Sequence, residues 1–146
     1  MKEITSLSDF TMPEEGYVEI PRKNGEDERF PIRALSAGES QEIYDRNRAP
    51  AAPKKFDKTG KFTENGKPGW YYDESDPVHQ QLVSEKSQAV TYEMAVAAIP
   101  IPDLTVDYLK EHLTIGDISL ILDAVNDLSN ITSEDEEAVK NSSESE

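Results

Sequence analysis

The chain has 146 residues, 36% of them hydrophobic, with 30 acidic residues against 15 basic ones and no cysteine. That length fits one domain of ordinary size and leaves a second core hard to fill, and the missing cysteines exclude disulfides, thiolate metal sites and cysteine nucleophiles. The net charge of −15 is uneven: residues 74–146 hold sixteen acids against only Lys86, Lys110 and Lys140, a balance that repels phosphate backbones and anionic membranes and speaks against nucleic acid or membrane as a partner.

The opening stretch MKEITSLSDFTMPEEG has no apolar run of signal-peptide length, and no later stretch approaches a membrane span, which predicts a soluble intracellular protein. The sequons at Asn130 and Asn141 are then chance matches. Next come two short apolar-alternating runs around Asn24-Gly25, which predict a hairpin over about residues 17–34. A two-residue loop would set Ile20 across from Arg29. An odd loop centred on Gly25 sets Ile20 opposite Phe30 and Val18 opposite Ile32, the pairing that burial favours. Pro21 and Pro31 cannot donate to a ladder, so each strand should have an unpaired side nearby.

Ser36-Ala37-Gly38-Glu39 matches a capping box and predicts a helix over about 37–47, stopped by Pro50 and Pro53 and held to the hairpin by Ile43 and Tyr44. Residues 49–76 combine Pro50, Pro53 and Pro68 with Gly60, Gly66, Gly69 and five lysines, which predicts a long loop carrying the aromatic cluster Trp70-Tyr71-Tyr72. Val78, Leu82, Ala89, Val90, Met94, Ala97 and Ala98 then recur at helical spacing and predict a helix over about 78–98, ended by Pro100 and Pro102. Asp103 or Thr105 can cap a short helix over about 104–112, and Thr114 with Asp117 opens a last one over about 115–131. There Ile115, Ile118, Ile121, Leu122, Val125, Leu128 and Ile131 form the cleanest apolar stripe. The expected fold class is mainly α with a small N-terminal β-hairpin (α+β), as one compact domain over 1–131 followed by a disordered acidic tail over 132–146.

Each group with chemical potential has a plain structural reading beside it. Asp57-Lys58-Thr59-Gly60 begins like the phosphorylated-aspartate motif of ion-pumping ATPases, but Lys61 stands where Thr is needed and no nucleotide domain accompanies it, which favours a polar turn. His79 and His112 lie on different predicted helices without the His and Glu spacing of a di-iron site, so no metal ligand set is assigned. Asp103, Asp107 and Glu111, and likewise Asp123 and Asp127, fall at four-residue steps that suit a solvated helical face better than a buried acid-base pair. No catalytic residue, metal or cofactor is therefore expected. Trp70, Tyr71 and Tyr72 would either anchor a protein partner or tuck their loop onto the core. The tail could present acids to a basic partner or keep an apolar face soluble.

The order of elements resembles the small tail assembly chaperones of long-tailed bacteriophages. The likeness lies in FPIRALSAGESQEI at Phe30 to Ile43, where a strand gives way to a capped helix, and in LTIGDISLILDAVNDLSNI at Leu113 to Ile131, an apolar helix leading to an acidic tail. It spans about two thirds of the chain, and the 49–76 stretch departs from it. The resemblance implies a non-enzymatic protein in the cytoplasm of the infected bacterial host that binds the tape measure protein, helps recruit tail tube subunits and is absent from the finished virion. It also implies, for many members, a longer product made by a programmed frameshift. On that expectation the partner-binding candidates are Trp70, Tyr71, Tyr72, Ile118, Leu122, Val125 and Leu128, although the last four suit a core better than an interface, and self-association is compatible. A virion component that stays in the tail, and an acidic DNA mimic that blocks a host protein, are the competing expectations.

Overall fold

The computed structural model describes residues 1–129. In chain order it has a 3-10 turn at Leu7–Asp9, strands β1 (Glu15–Ile20) and β2 (Glu28–Arg33), helix α1 (Ala37–Arg46), strands β3 (Lys54–Asp57) and β4 (Gly69–Tyr72), and helices α2 (Pro77–Ala98), α3 (Val106–His112) and α4 (Ile115–Ser129). The fold is mainly α with a small N-terminal antiparallel hairpin, as the hydrophobic periodicity predicts. The disordered tail expected over 132–146, and Ile131 with it, lie outside the described residues.

Where one domain is expected, the described chain divides into two compact units. Unit 1 combines residues 1–41 with 92–129, and unit 2 is residues 42–91. The physical reason is that the breaker-rich stretch does not stay a loop: it folds into its own antiparallel hairpin of β3 and β4, which pairs Lys54 with Tyr72 and Phe56 with Trp70. The aromatic residues Phe56, Trp70, Tyr71 and Tyr72 suit strand positions, and the prolines and glycines lie outside or at the ends of the paired segments.

In unit 1 the register of the first hairpin sets Val18 opposite Phe30, Gly16 opposite Ile32 and Ile20 opposite Glu28. This corrects the expected pairing by two residues and preserves its parity, so Val18, Ile20, Phe30 and Ile32 still share one face. The connection is organised by Arg22, whose carbonyl accepts from the Gly25 N–H at 3.1 Å and whose own N–H donates to Asp27 at 3.2 Å; Gly25 takes a φ of 81° that its missing Cβ permits. Gly16 matters for closeness: a Cβ there would lie 3.4 Å from the Leu128 methyls.

The core of unit 1 joins Ile20 and Ile32 of the hairpin to Ala95, Ala98 and Ile99, to Leu109, and to Ile118, Ile121 and Val125 of α4. Helix α4 lies across both strands of the hairpin. Full burial of an Ile side chain contributes about 1.5–3 kcal/mol, so Ile20, Ile32 and Ile121 dominate this layer. Only the C-terminal part of α2 enters it; Val78 is exposed and Leu82 half-buried, so the stripe expected along the whole helix is buried at Ala95 and Ala98 instead. On α1, Ile43 is buried and Tyr44 exposed.

The predicted caps form. Ser36 Oγ accepts from the Glu39 N–H at 3.2 Å while Glu39 accepts from the Ser36 N–H at 3.1 Å, and Thr114 and Asp117 make the same reciprocal pair at 3.1 Å each. Of the two candidates for α3, Thr105 is the cap, accepting from the Tyr108 N–H at 3.1 Å, while Asp103 turns the chain with a φ of 63°.

Candidate functional site

The turn between α2 and α3 opens a cleft in unit 1. Pro100 and Pro102 end α2, Asp103 in its left-handed conformation reverses the chain, and Thr105 restarts it as α3. This places Ile99, Ile101 and Leu104 beside Phe30 of β2 and Tyr108 and Leu113 of the α3 region, around a cavity of about 380 Å³. Ile101 and Tyr108 are exposed large apolar groups at its wall, and Glu28 and His112 are the polar groups lining it. The His112 ring stacks on Tyr108 with centroids 4.0 Å apart, and its Nδ1 lies 2.9 Å from the Tyr108 carbonyl oxygen. Such walls bury apolar side chains and offer little to orient a reacting group.

Behind the cleft, Asp117 is buried with its carboxylate accepting from Arg22 Nη1 at 2.9 Å and from the Thr114 N–H. Burial alone would raise its pKa, but the Arg22 and Thr114 hydrogen bonds outweigh burial and hold it below the ordinary carboxylate value. Arg22 also pairs with Glu28 at 3.1 Å, so the hairpin loop is tied to the first turn of α4. That arrangement is structural: Asp117 Oδ2 accepts from both Arg22 and the Thr114 N–H, and the cap holds elements together.

In unit 2 the β3–β4 hairpin has two different faces. Phe56 and Trp70, cross-strand neighbours, meet edge to face at 5.5 Å, and with Tyr72 they remain exposed at 51%, 63% and 59%. Lys54 lies over the Tyr72 ring at 5.8 Å on the same face. On the other face Tyr71 stacks on Phe62 at 5.4 Å, and Lys55 pairs with Asp73. A concavity of about 610 Å³ runs along Phe62, Asn65 and the Gly69–Tyr72 strand.

The turn between these strands is built by Asp57. Its buried carboxylate accepts from the Phe62 N–H at 2.7 Å, the Thr59 N–H at 2.9 Å and the Thr59 hydroxyl at 2.7 Å. The Phe62 bond, then the Thr59 contacts, lower its pKa. A nucleophile needs a free lone pair aimed at substrate, whereas this Asp spends its acceptors on the loop, the polar-turn reading of Asp57-Lys58-Thr59-Gly60.

The sequence candidates therefore fall into separate places. Ile118 and Val125 are buried in the unit 1 core, which removes their side chains from the surface in this structure; Leu122 and Leu128 are half-buried against that core. Trp70 and Tyr72 share the open face of the unit 2 hairpin, and Tyr71 faces the opposite way. Asp103, Asp107, Glu111, Asp123 and Asp127 are exposed, and no group of three or more His, Cys, Asp or Glu among the described residues is placed to hold a metal. Sequence reading passed over Phe56 and the cleft residues Phe30, Ile101, Leu104 and Tyr108. The strand preference of aromatic side chains at Phe56 and at Trp70-Tyr71-Tyr72 was the one signal for the first; the cleft has no local signal, because its walls come from three separate segments. Among the described residues no helix is long and apolar enough to cross a membrane.

Comparison with known proteins returns nothing. No protein-family model, curated protein or solved structure matches the chain.

Proposed function

We propose that this protein is a non-enzymatic tail assembly chaperone of a long-tailed bacteriophage. In this reading it works in the cytoplasm of the infected bacterium, seats a helical segment of the tape measure protein and helps recruit tail tube subunits. The observation that carries the binding part is the unit 1 cleft, whose apolar walls at Phe30, Ile99, Ile101, Leu104, Tyr108 and Leu113 suit one apolar face of a partner helix. Burying a Leu-sized side chain there contributes about 1.5–3 kcal/mol, enough for reversible capture when two or three do so. The net charge of −15 helps keep the empty and occupied forms soluble. The phage assignment rests on the resemblance in the Phe30 to Ile43 and Leu113 to Ile131 stretches.

The test begins with the DNA that encodes the chain and its neighbourhood. The reading expects a nearby frame for a very long helical protein, with a slippery heptamer at the end of this one. Co-expression should keep that long protein soluble and co-purify the two, and Ile101→Asp with Tyr108→Asp should abolish co-purification while the circular dichroism spectrum stays unchanged. Recovery of the chain from purified particles would favour a virion component, and salt-labile capture of a basic host protein would favour a DNA mimic. Absence of the long frame, or co-purification indifferent to the cleft substitutions, defeats the proposal.

A further inference from the structure

The exposed face of the β3–β4 hairpin is an anomaly of charge as well as of hydrophobicity. Residues 54–72 carry five lysines against Asp57 and Glu64, a local balance of +3 inside a chain of −15. Asp57 is buried and committed to the turn. All five arginines of the chain sit in ion pairs, and Lys55 is paired with Asp73, but Lys54, Lys58, Lys61 and Lys67 are exposed and form no ion pair among the described residues. Lys54 lies over Tyr72 on the open aromatic face made by Phe56, Trp70 and Tyr72, and Lys58, Lys61 and Lys67 belong to the connection between the two strands. The sheet has only two strands, so each keeps an edge whose N–H and C=O groups are free to pair with an extended chain.

We infer that this face docks the acidic C-terminal stretch, residues 133–146, of a second copy of the same protein. That stretch holds Glu134, Asp135, Glu136, Glu137, Glu144 and Glu146 against Lys140 alone, the densest run of acids in the chain. Lysines on an edge strand repel a second hairpin of the same kind and attract an acidic strand, so the charge pattern selects this occupant over hairpin-to-hairpin pairing. A polypeptide fits better than a nucleic acid, because the free edges offer backbone partners to a peptide and none to a phosphate chain. Reciprocal exchange closes as a dimer, and one-way exchange extends the assembly.

Trp70 is the only tryptophan, so its emission reports on this face alone. The experiment uses the full chain, measuring mass by light scattering and Trp70 emission across a concentration series at about 50 and about 500 mM salt, where screening lengths differ several-fold. The expected result is a mass of two or more chains at low salt with a concentration-dependent blue shift of Trp70, both weakened roughly tenfold or more at high salt. Lys54→Glu with Lys58→Glu and Lys61→Glu should abolish both. So should a full-length variant with the six acids of 133–146 replaced by Gln or Asn, which leaves the hairpin untouched and guards against misfolding of the lysine variant. A synthetic peptide of residues 133–146 should compete. A monomer with unshifted emission at every concentration overturns the inference. So does self-association that survives neutralising the six acids, or a Trp70 shift that depends on those acids but not on concentration, which would mean docking within one chain. Quenching by oligo-dT that the lysine substitutions remove, without any change in mass, would instead make the face a nucleic-acid platform.

Discussion

At the scale of single residues, burial separates side chains that look alike in sequence. Ile121 and Leu122 are adjacent members of one apolar stripe, yet Ile121 is fully buried and Leu122 only half-buried against the same cluster. Ile121→Ala should therefore cost about 2–5 kcal/mol, through lost transfer energy and the cavity left behind, and urea denaturation would measure it. Leu122→Ala should cost less than half as much by the same assay; equal costs would mean that the surface packs differently. Gly60 is a second residue whose identity is dictated by contact. It has a φ of 75°, and a Cβ there would lie 2.3 Å from the Gly66 carbonyl oxygen. Gly60→Ala should open the Asp57 turn and change Trp70 emission while leaving unit 1 folded, whereas Gly25→Ala, with a similar φ but open space around it, should cost only backbone strain of about 1–2 kcal/mol. Identical emission from Gly60→Ala and the parent chain would refute this account of the turn.

At the scale of elements, the helices were legible because their starts are chemical. Ser36 with Glu39 and Thr114 with Asp117 satisfy orphan N–H groups at the first turns of α1 and α4, and both pairs can be read as four-residue strings. Thr114→Ala and Ser36→Ala should each lose about 1 kcal/mol. Asp117→Ala should lose more than Thr114→Ala, because it leaves Arg22 without its partially buried carboxylate as well as uncapping α4; chemical denaturation of the three variants ranks them. Strand pairing was less legible. The first hairpin kept its predicted faces but slid by two residues, since parity is set by the apolar alternation whereas the loop length is set by Arg22, whose partner Asp117 lies 95 residues away. The β3–β4 hairpin was missed because its strands are four residues each and the connection between them is full of glycine and lysine, which masks a period-two pattern.

At the scale of the whole molecule, ion pairs couple folding to pH. Arg33, with the Ser36 N–H, holds the Glu39 carboxyl at about 2 against an ordinary 4.5, and Asp57, Asp73 and Asp117 are likewise lowered by the Phe62 N–H, Lys55 and Arg22 contacts described above. A carboxylate lowered in the folded state contributes stability that is complete above its unfolded value and lost as pH falls toward its folded one. Melting temperature should accordingly change little from pH 7 to 5 on this account and fall between about 4.5 and 2. Glu39→Gln should lower stability at pH 7 and make the fall below 4.5 shallower, which a calorimetric pH series would show; an unchanged slope would mean that the Arg33 pair contributes nothing.

The sequence by itself determined what depends on neighbours along the chain: the helices, their caps, the parity of the first hairpin and the acidic imbalance, each set by periods and spacings within about a dozen residues. Tertiary structure decided the rest. It withdrew Ile118 and Val125 into the core, turned Tyr71 away from Trp70 and Tyr72, brought Phe56 to Trp70, and assembled a cleft from β2, the α2–α3 turn and α3. Those outcomes depend on which distant faces meet, and an apolar stripe states that a face must be covered without stating by what.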